Sequence, residues 1–235
     1  MIKAVFFDLF HTLIHFHPPR EEVLAMSLSR RGINAETGKL KRAVVAGDEY
    51  YYRENARKDS GKHTKADAGA SWHEWQSIVL REAGIEPRSE LVTDLLADIQ
   101  RTSYEHVLYN DVLPTLASLS NRGLKLGLIS NVNQNIGPLV DQLGLSPYLE
   151  VVLTSRDLGV TKPEPRIFQE AVRMVGVMAT NVIYVGDQYK IDVLGARGAG
   201  LKGLLLDREG NYPEIAGTEK IFSLDELENR IQQYT

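Results

Sequence analysis

The chain has no cysteine among its 235 residues, which excludes disulfides, thiolate catalysis and Cys-ligated zinc together. It has no apolar run long enough to span a bilayer. Its first residues pass straight into a strand-like run, without the basic start, apolar stretch and small-residue cleavage site of a secretory leader. A cytoplasmic protein with no membrane partner is therefore expected. Positive charge is not in excess either. The formal net charge of -4 gives no basic field, so nucleic acid is not an expected partner. Internal repeats, low-complexity blocks and a glycine-rich nucleotide loop are all missing; Gly195 and Gly198 sit inside a helical pattern and read as allowing close packing against the sheet. What remains is an ordinary globular balance, 43% hydrophobic and 25% charged. That is enough chain for one core domain and a smaller companion.

The most informative residue present is Asp8, which closes the apolar run Ala4, Val5, Phe6, Phe7. In an open α/β sheet, ligands bind in the crevice at the carboxyl ends of the strands. A carboxylate there can act as a covalent nucleophile or hold a cation, and equally can be a turn former. Three later signals bear on that choice. A second apolar run at residues 126–129 ends in Ser130 and Asn131, small polar groups able to hydrogen-bond an oxyanion. Lys162 follows Gly159, Val160 and Thr161 and precedes Pro163, Glu164 and Pro165, a cation in a stiff extended segment. A third run, residues 181–185, closes on Gly186 and Asp187, with Asp192 beyond.

Between the first strand and the next strand-like run at residues 124–129 lies a stretch of helical periodicity too long for one crossover. It reads as an inserted all-helical domain, residues 15–107, set into a core made of residues 1–14 and 108–235. Pro18 and Pro19 ahead of Arg20, Glu21 and Glu22 mark a helix start. Further helices are predicted over residues 39–57, from Trp72 to about Gly84, and over 91–104, with a polar loop at 59–70. After the insertion, strand and helix alternate, which predicts a doubly wound parallel sheet covered on both faces. Ser223 with Glu226 forms a capping box ahead of a final helix.

With these residues in this order, the chain resembles the haloacid dehalogenase (HAD) superfamily over nearly its whole length. The resemblance implies a Rossmann-like core with a helical cap of the family's first type. It makes Asp8 the nucleophile, the Phe10 backbone carbonyl a metal ligand and Thr12 a structural support. Ser130 becomes an oxyanion contact alongside the Asn131 backbone. Lys162 becomes the cation beside the nucleophile and the transferring group, Asp187 a Mg²⁺ ligand, and Asp192 an acidic neighbour orienting metal or lysine. The implied substrate is a small phosphorylated molecule. Phosphoryl transfer asks mainly for positioning and for neutralisation of spread charge, and Mg²⁺ is typically held by one or two carboxylates plus phosphate.

One position departs from the family's phosphatases. They carry a second Asp two residues after the nucleophile, as general acid and base, and this chain has Phe10. The superfamily's hydrolytic dehalogenases resemble it in having an aromatic residue there, because a departing halide needs no proton. They also resemble one another in a Ser-Asn pair where this chain has Gly186 and Asp187, and in an early cap arginine, for which Arg20, Arg30, Arg31 and Arg53 are candidates. Three readings stay open: a Mg²⁺-dependent phosphatase working through an aspartyl phosphate, a metal-independent 2-haloacid dehalogenase, and a weakly catalytic binding protein. His11, His15 and His17 are either stand-ins for the lost carboxylate or turn residues. Tyr50, Tyr51, Tyr52, Trp72 and Trp75 either line a substrate pocket or form cap core. Lys62, His63 and Lys65 either greet an anion or are a solvated charge run. Oligomeric state is open.

Overall fold

A computed structural model of the chain describes residues 1–57, 65–216 and 219–234. In chain order its elements are β1 (Ala4–Phe7), β2 (Ile14–His17), α1 (Arg20–Ser29), α2 (Thr37–Arg57), α3 (Lys65–Glu82), α4 (Ser89–Arg101) and β3 (Glu105–Leu108). There follow α5 (Val112–Asn121), β4 (Lys125–Ser130), α6 (Gly137–Gln142), β5 (Leu149–Thr154), α7 (Ser155–Leu158), α8 (Pro165–Val175), β6 (Val182–Gly186), α9 (Leu194–Gly198), β7 (Lys202–Leu206), β8 (Lys220–Ile221) and α10 (Leu227–Gln232). Two compact units result: Met1–His15 with Leu108–Thr235, and Phe16–Val107.

The first unit is built on a six-stranded sheet of order β5-β4-β1-β6-β7-β8, with every adjacent pair parallel. The strand order reverses at β1, so the crevice beside its carboxyl end is the switch point where such sheets bind ligands. Strand periodicity divides the core. Val5, Phe7, Leu126, Leu128, Ile183 and Val185 point to one face, where α5, α6 and α10 cover them with Leu116, Val140 and Ile231. Ala4, Phe6, Ile129, Val182 and Tyr184 point to the other, under Ile167, Phe168 and Ala171 of α8 and Ala196 of α9. The alternation of strand with helix thus produces the doubly wound sheet that it predicts.

A network around Asp111 pins the loop after β1. Arg208 donates to Asp111 through Nη1 at 2.7 Å and Nη2 at 2.9 Å, and Nη2 also donates to the Thr12 carbonyl at 2.9 Å. The Ser223 hydroxyl and the Leu224 amide complete the shell, each 2.9 Å from Asp111. Burial alone would raise the Asp111 carboxyl, but the Arg208 and Leu224 hydrogen bonds outweigh it and hold it below the ordinary carboxylate range. Asp111→Ala takes the counter-ion from a half-buried guanidinium that keeps the Thr12 carbonyl, and is expected to cost about 1–3 kcal/mol at pH 7 in urea unfolding. Because the folded-state pKa is depressed, this contribution is present above the unfolded carboxylate pKa and fades as pH falls through the folded value. The gap between wild type and variant should therefore narrow at pH 3.

In the second unit the described residues of α1, α2, α3 and α4 pack around Leu24, Leu28, Leu40, Trp75, Val79, Leu80, Val92 and Leu95. Trp75 Nε1 donates to Asp48 Oδ1 at 2.8 Å, and Arg20 pairs with the same carboxylate. Trp75 is 1% exposed and Tyr51 packs on its cluster, so these two aromatics are core residues. Trp72 lies between Tyr51 and Trp75, with ring centroids 4.8 and 5.6 Å away.

Three expectations need correction. The segments at the two ends of the insertion are not helix or linker: β2 and β3 pair as a two-stranded sheet. The alternation in Ile14, His15, Phe16, His17 carries that signal, and the two prolines behind it mask it. The polar stretch read as a loop is helical from Lys65 onward; tertiary packing of Ser71, Trp75 and Val79 overrides its polar composition. Lys62 and His63, and the side chains of Tyr52, Arg53 and Lys65, lie outside what is described. Of the two glycines expected to pack on the sheet, Gly195 is closely packed but against Pro163 and Phe168, a Cβ there falling 2.9 Å from Pro163 Cα, whereas Gly198 has open space.

Candidate active site

The sheet brings Ser130, Asp8 and Asp187 to the carboxyl ends of three adjacent strands, β4, β1 and β6. Asp8 is 7% exposed, and its amide donates to the Val185 carbonyl at 2.9 Å, which continues the β1–β6 ladder by one residue. Thr12 is buried in the loop that follows, and its Oγ1 has no hydrogen-bond partner among the described residues. Its carbonyl accepts from Arg208. Phe10 is half-buried, packs against the core and makes a bridge to Ile14.

Lys162 reaches this point from the β5–α8 connection. Its Nζ donates to Asp8 Oδ1 at 2.6 Å, to Asp192 Oδ1 at 2.7 Å and to the Tyr184 hydroxyl at 2.9 Å. An ammonium has three N–H groups, and all three are engaged by the protein. Burial opposes the lysine's charge, but Asp192 and then Asp8 outweigh it and drive its pKa upward. For Asp8 the balance differs. Burial and the repulsion of Asp192 exceed the pull of Lys162 and push its carboxyl up to about 6.

The backbone of Lys162 is fixed by Asn131. The side-chain Oδ1 accepts from the Lys162 amide at 2.8 Å, and Nδ2 donates to the Lys162 carbonyl at 2.9 Å. The resemblance assigns Asn131 a backbone contact to substrate; its side chain serves as a two-pronged clamp joining the end of β4 to the lysine segment. Ser130, 1% exposed, closes β4 opposite Thr154.

Asp192 is reached through a wide π-type turn, Tyr189–Val193, of the kind often found at functional sites. Its Oδ1 takes the Lys162 bond, and its Oδ2 accepts from the Gln188 amide at 3.0 Å. The carboxylate folds back so tightly against β6 that a Cβ at Gly186 would lie 2.4 Å from its Cγ. This is the physical reason for glycine ahead of Asp187. One carboxylate oxygen from each of Asp8, Asp187 and Asp192 falls within 4.8 Å of the others. Three hard oxygen donors suit Mg²⁺ or a similar cation, and a cation there would counter the burial that disfavours the Asp8 anion.

Tyr184 is the site residue that sequence reading missed. It lies within an otherwise aliphatic strand, in register with Phe6 of β1 and hence on the Asp8 side of the sheet. A buried Tyr hydroxyl needs a partner, and that was the available signal. Burial first, and then the neighbouring carboxylates, raise its pKa well above the ordinary phenol value, which keeps it a neutral hydroxyl.

His11 has a left-handed backbone, φ 60°, and its amide donates to the Ile14 carbonyl at 2.6 Å, so it makes the turn after Phe10. His15 packs on Tyr109 with ring centroids 4.9 Å apart, and His17 is exposed. Arg31 pairs with Asp98 at 2.8 Å and Arg30 is exposed.

An open parallel sheet that presents a lysine-paired carboxylate and two further acids at its switch point is the framework of a hydrolase with a Rossmann-like core. The chain belongs to the haloacid dehalogenase-like hydrolases, whose family model matches residues 2–200. It is 31% identical over 217 residues to the glyceraldehyde 3-phosphate phosphatase of Methanopyrus kandleri, covering 92% of this chain and 88% of that one. A 2-haloacid dehalogenase from Pseudomonas syringae pv. Tomato is similar over 100% of both chains, at 26% identity and TM-score 0.61. A HAD phosphatase from Thermococcus onnurineus, 24% identical, shares the fold over 97% of both chains with TM-score 0.55. No helix among the described residues is long and apolar enough to cross a membrane.

Proposed function

We propose that the protein is a Mg²⁺-dependent phosphatase of small phosphorylated metabolites, with Asp8 as nucleophile. One observation carries this reading: three carboxylate oxygens, from Asp8, Asp187 and Asp192, gathered within 4.8 Å beside a lysine bonded to the first of them at 2.6 Å. Asp8 and Asp187, with the Phe10 carbonyl, would hold the metal, and Asp192 would sit at or just behind it. When bound, Mg²⁺ supplies positive charge to offset the substrate's phosphoryl oxygens.

Asp8 attacks phosphorus; the Asp8–phosphorus bond forms as the ester oxygen departs, and water then hydrolyses the aspartyl phosphate. Lys162 holds Asp8 oriented and balances charge, with Asn131 fixing its backbone and Asp192 its head. Ser130 and the Asn131 amide are the contacts for a phosphoryl oxygen. Lys162 already spends its three N–H groups on protein acceptors, so any contact of its own to the phosphoryl group requires one of those bonds to be given up. Phe10 offers no proton to the leaving oxygen. The unit Phe16–Val107 is read as the cap that selects the substrate.

The test is phosphate release from a panel of small phosphate esters, with Mg²⁺ and with EDTA, using Asp8→Asn as control. Mg²⁺-dependent release lost in the control is the expected result; release that survives EDTA, or survives Asp8→Asn, overturns the reading. A second reading is supported by Phe10 and by the 26% identity to a 2-haloacid dehalogenase: displacement of halide from carbon by Asp8 without metal. Halide release from short 2-haloacids in EDTA would establish it. Release of neither product would leave a binding role.

A further inference from the structure

Three groups accept from the Lys162 head, Asp8, Asp192 and Tyr184, and Tyr184 is the one that none of the motifs supplies. Its hydroxyl accepts from Nζ at 2.9 Å and has two acceptors for its single proton, the Ile129 carbonyl at 3.1 Å, one residue before Ser130, and Asp192 Oδ1 at 3.3 Å. Its ring is fully buried and stands edge-on to Phe168, with centroids 5.0 Å apart. The oxygen is therefore fixed at both ends, by ring packing on α8 and by the backbone of β4.

Two carboxylates alone would leave the third N–H of a buried ammonium unmatched, which is costly, and would leave the head free to rotate toward either acid. A carboxylate in that place would add a further negative charge to those of Asp8, Asp187 and Asp192 already gathered there. A neutral acceptor avoids both outcomes and turns two contacts into a tripod. Lys162 has little exposed surface, 2%, so no solvent molecule at large can take that place.

We infer that Tyr184 is a positioning residue, the neutral third acceptor that fixes the Lys162 ammonium between Asp8 and Asp192 and keeps it aimed at the nucleophile. Its kinetic consequence rests on the reading of Asp8 as nucleophile with Lys162 as its partner. The geometric claim can be tested without that reading.

The experiment compares wild type, Tyr184→Phe and Val172→Ala. The last removes bulk from the same core cluster without touching the hydroxyl. In metal-free protein, the Lys162 ammonium is observed by ¹⁵N-edited NMR and assigned by its absence in Lys162→Met. A head held by three acceptors exchanges its protons slowly. Tyr184→Phe is expected to accelerate that exchange at least tenfold, with Val172→Ala behaving as wild type. With p-nitrophenyl phosphate as probe, kcat is expected to fall about tenfold in Tyr184→Phe at unchanged KM. An unchanged ammonium signal in Tyr184→Phe, or an equal change in Val172→Ala, overturns the proposal. If wild type hydrolyses no ester, the phosphatase reading fails by itself, and the ammonium measurement still decides the role of Tyr184.

Discussion

Lys162→Met is expected to lower kcat by about a thousandfold, the scale of losing a preorganised electrostatic contact in a buried site. It is also expected to destabilise the fold by about 3–5 kcal/mol at neutral pH, because the partner charges stay buried without their counter-ion. The two effects are separable. Asp8 already has its pKa raised to about 6, chiefly by burial, so between the unfolded carboxylate range near 4 and that value the native state binds the extra proton. Stability therefore falls as pH rises through this window. Without Lys162 the window extends above 6, and the variant's deficit should be small at pH 4.5 and large at pH 7.5 in EDTA. Urea unfolding at the two pH values reads this directly. Lys162→Arg should not restore turnover, since a planar fork cannot place three donors around a point. A variant stable and active at pH 7.5 would mean that Lys162 neither neutralises nor orients Asp8.

What the sequence could reveal of this site follows a physical divide. Asp8, Ser130 and Asp187 were legible because each ends an apolar run, and a polar residue at that point of a parallel strand faces the crevice. Lys162 was legible through its stiff flanks and through the family resemblance. Asp192 was legible as an acidic neighbour orienting metal or lysine, and Asn131 as a backbone contact; the clamp made by the Asn131 side chain and the acceptor Tyr184 were not. Asn131 clamps a backbone 31 residues away, and Tyr184 bridges to Lys162 across 22; no local periodicity encodes either distance. The same holds for the Asp111–Arg208 pair, 97 residues apart. In the fold, the doubly wound parallel sheet followed from the alternation of strand and helix, while β2 and β3 escaped because four-residue strands, the first of them beside two prolines, carry too little pattern. The start of α3 escaped because its packing partners are remote in sequence.

Phe10→Asp should raise phosphate release from alkyl phosphates by about a hundredfold, the lower end of what a well-placed general acid and base contributes. The gain should depend on the leaving group. An alkoxide must take a proton as it departs, whereas p-nitrophenolate leaves readily as an anion, so the variant should gain little on p-nitrophenyl phosphate and much on a simple alkyl ester. That contrast is a signature of restored acid catalysis that no general change in folding or metal affinity would imitate. The change has a cost. Phe10 is half-buried against the core, and losing its apolar contact should cost about 1–2 kcal/mol, visible as a lower urea midpoint. If the centre instead displaces halide from carbon, the leaving group needs no proton and Phe10 packs its pocket. Phe10→Asp would then bring the same loss of stability, no gain on any phosphate ester and a fall in halide release.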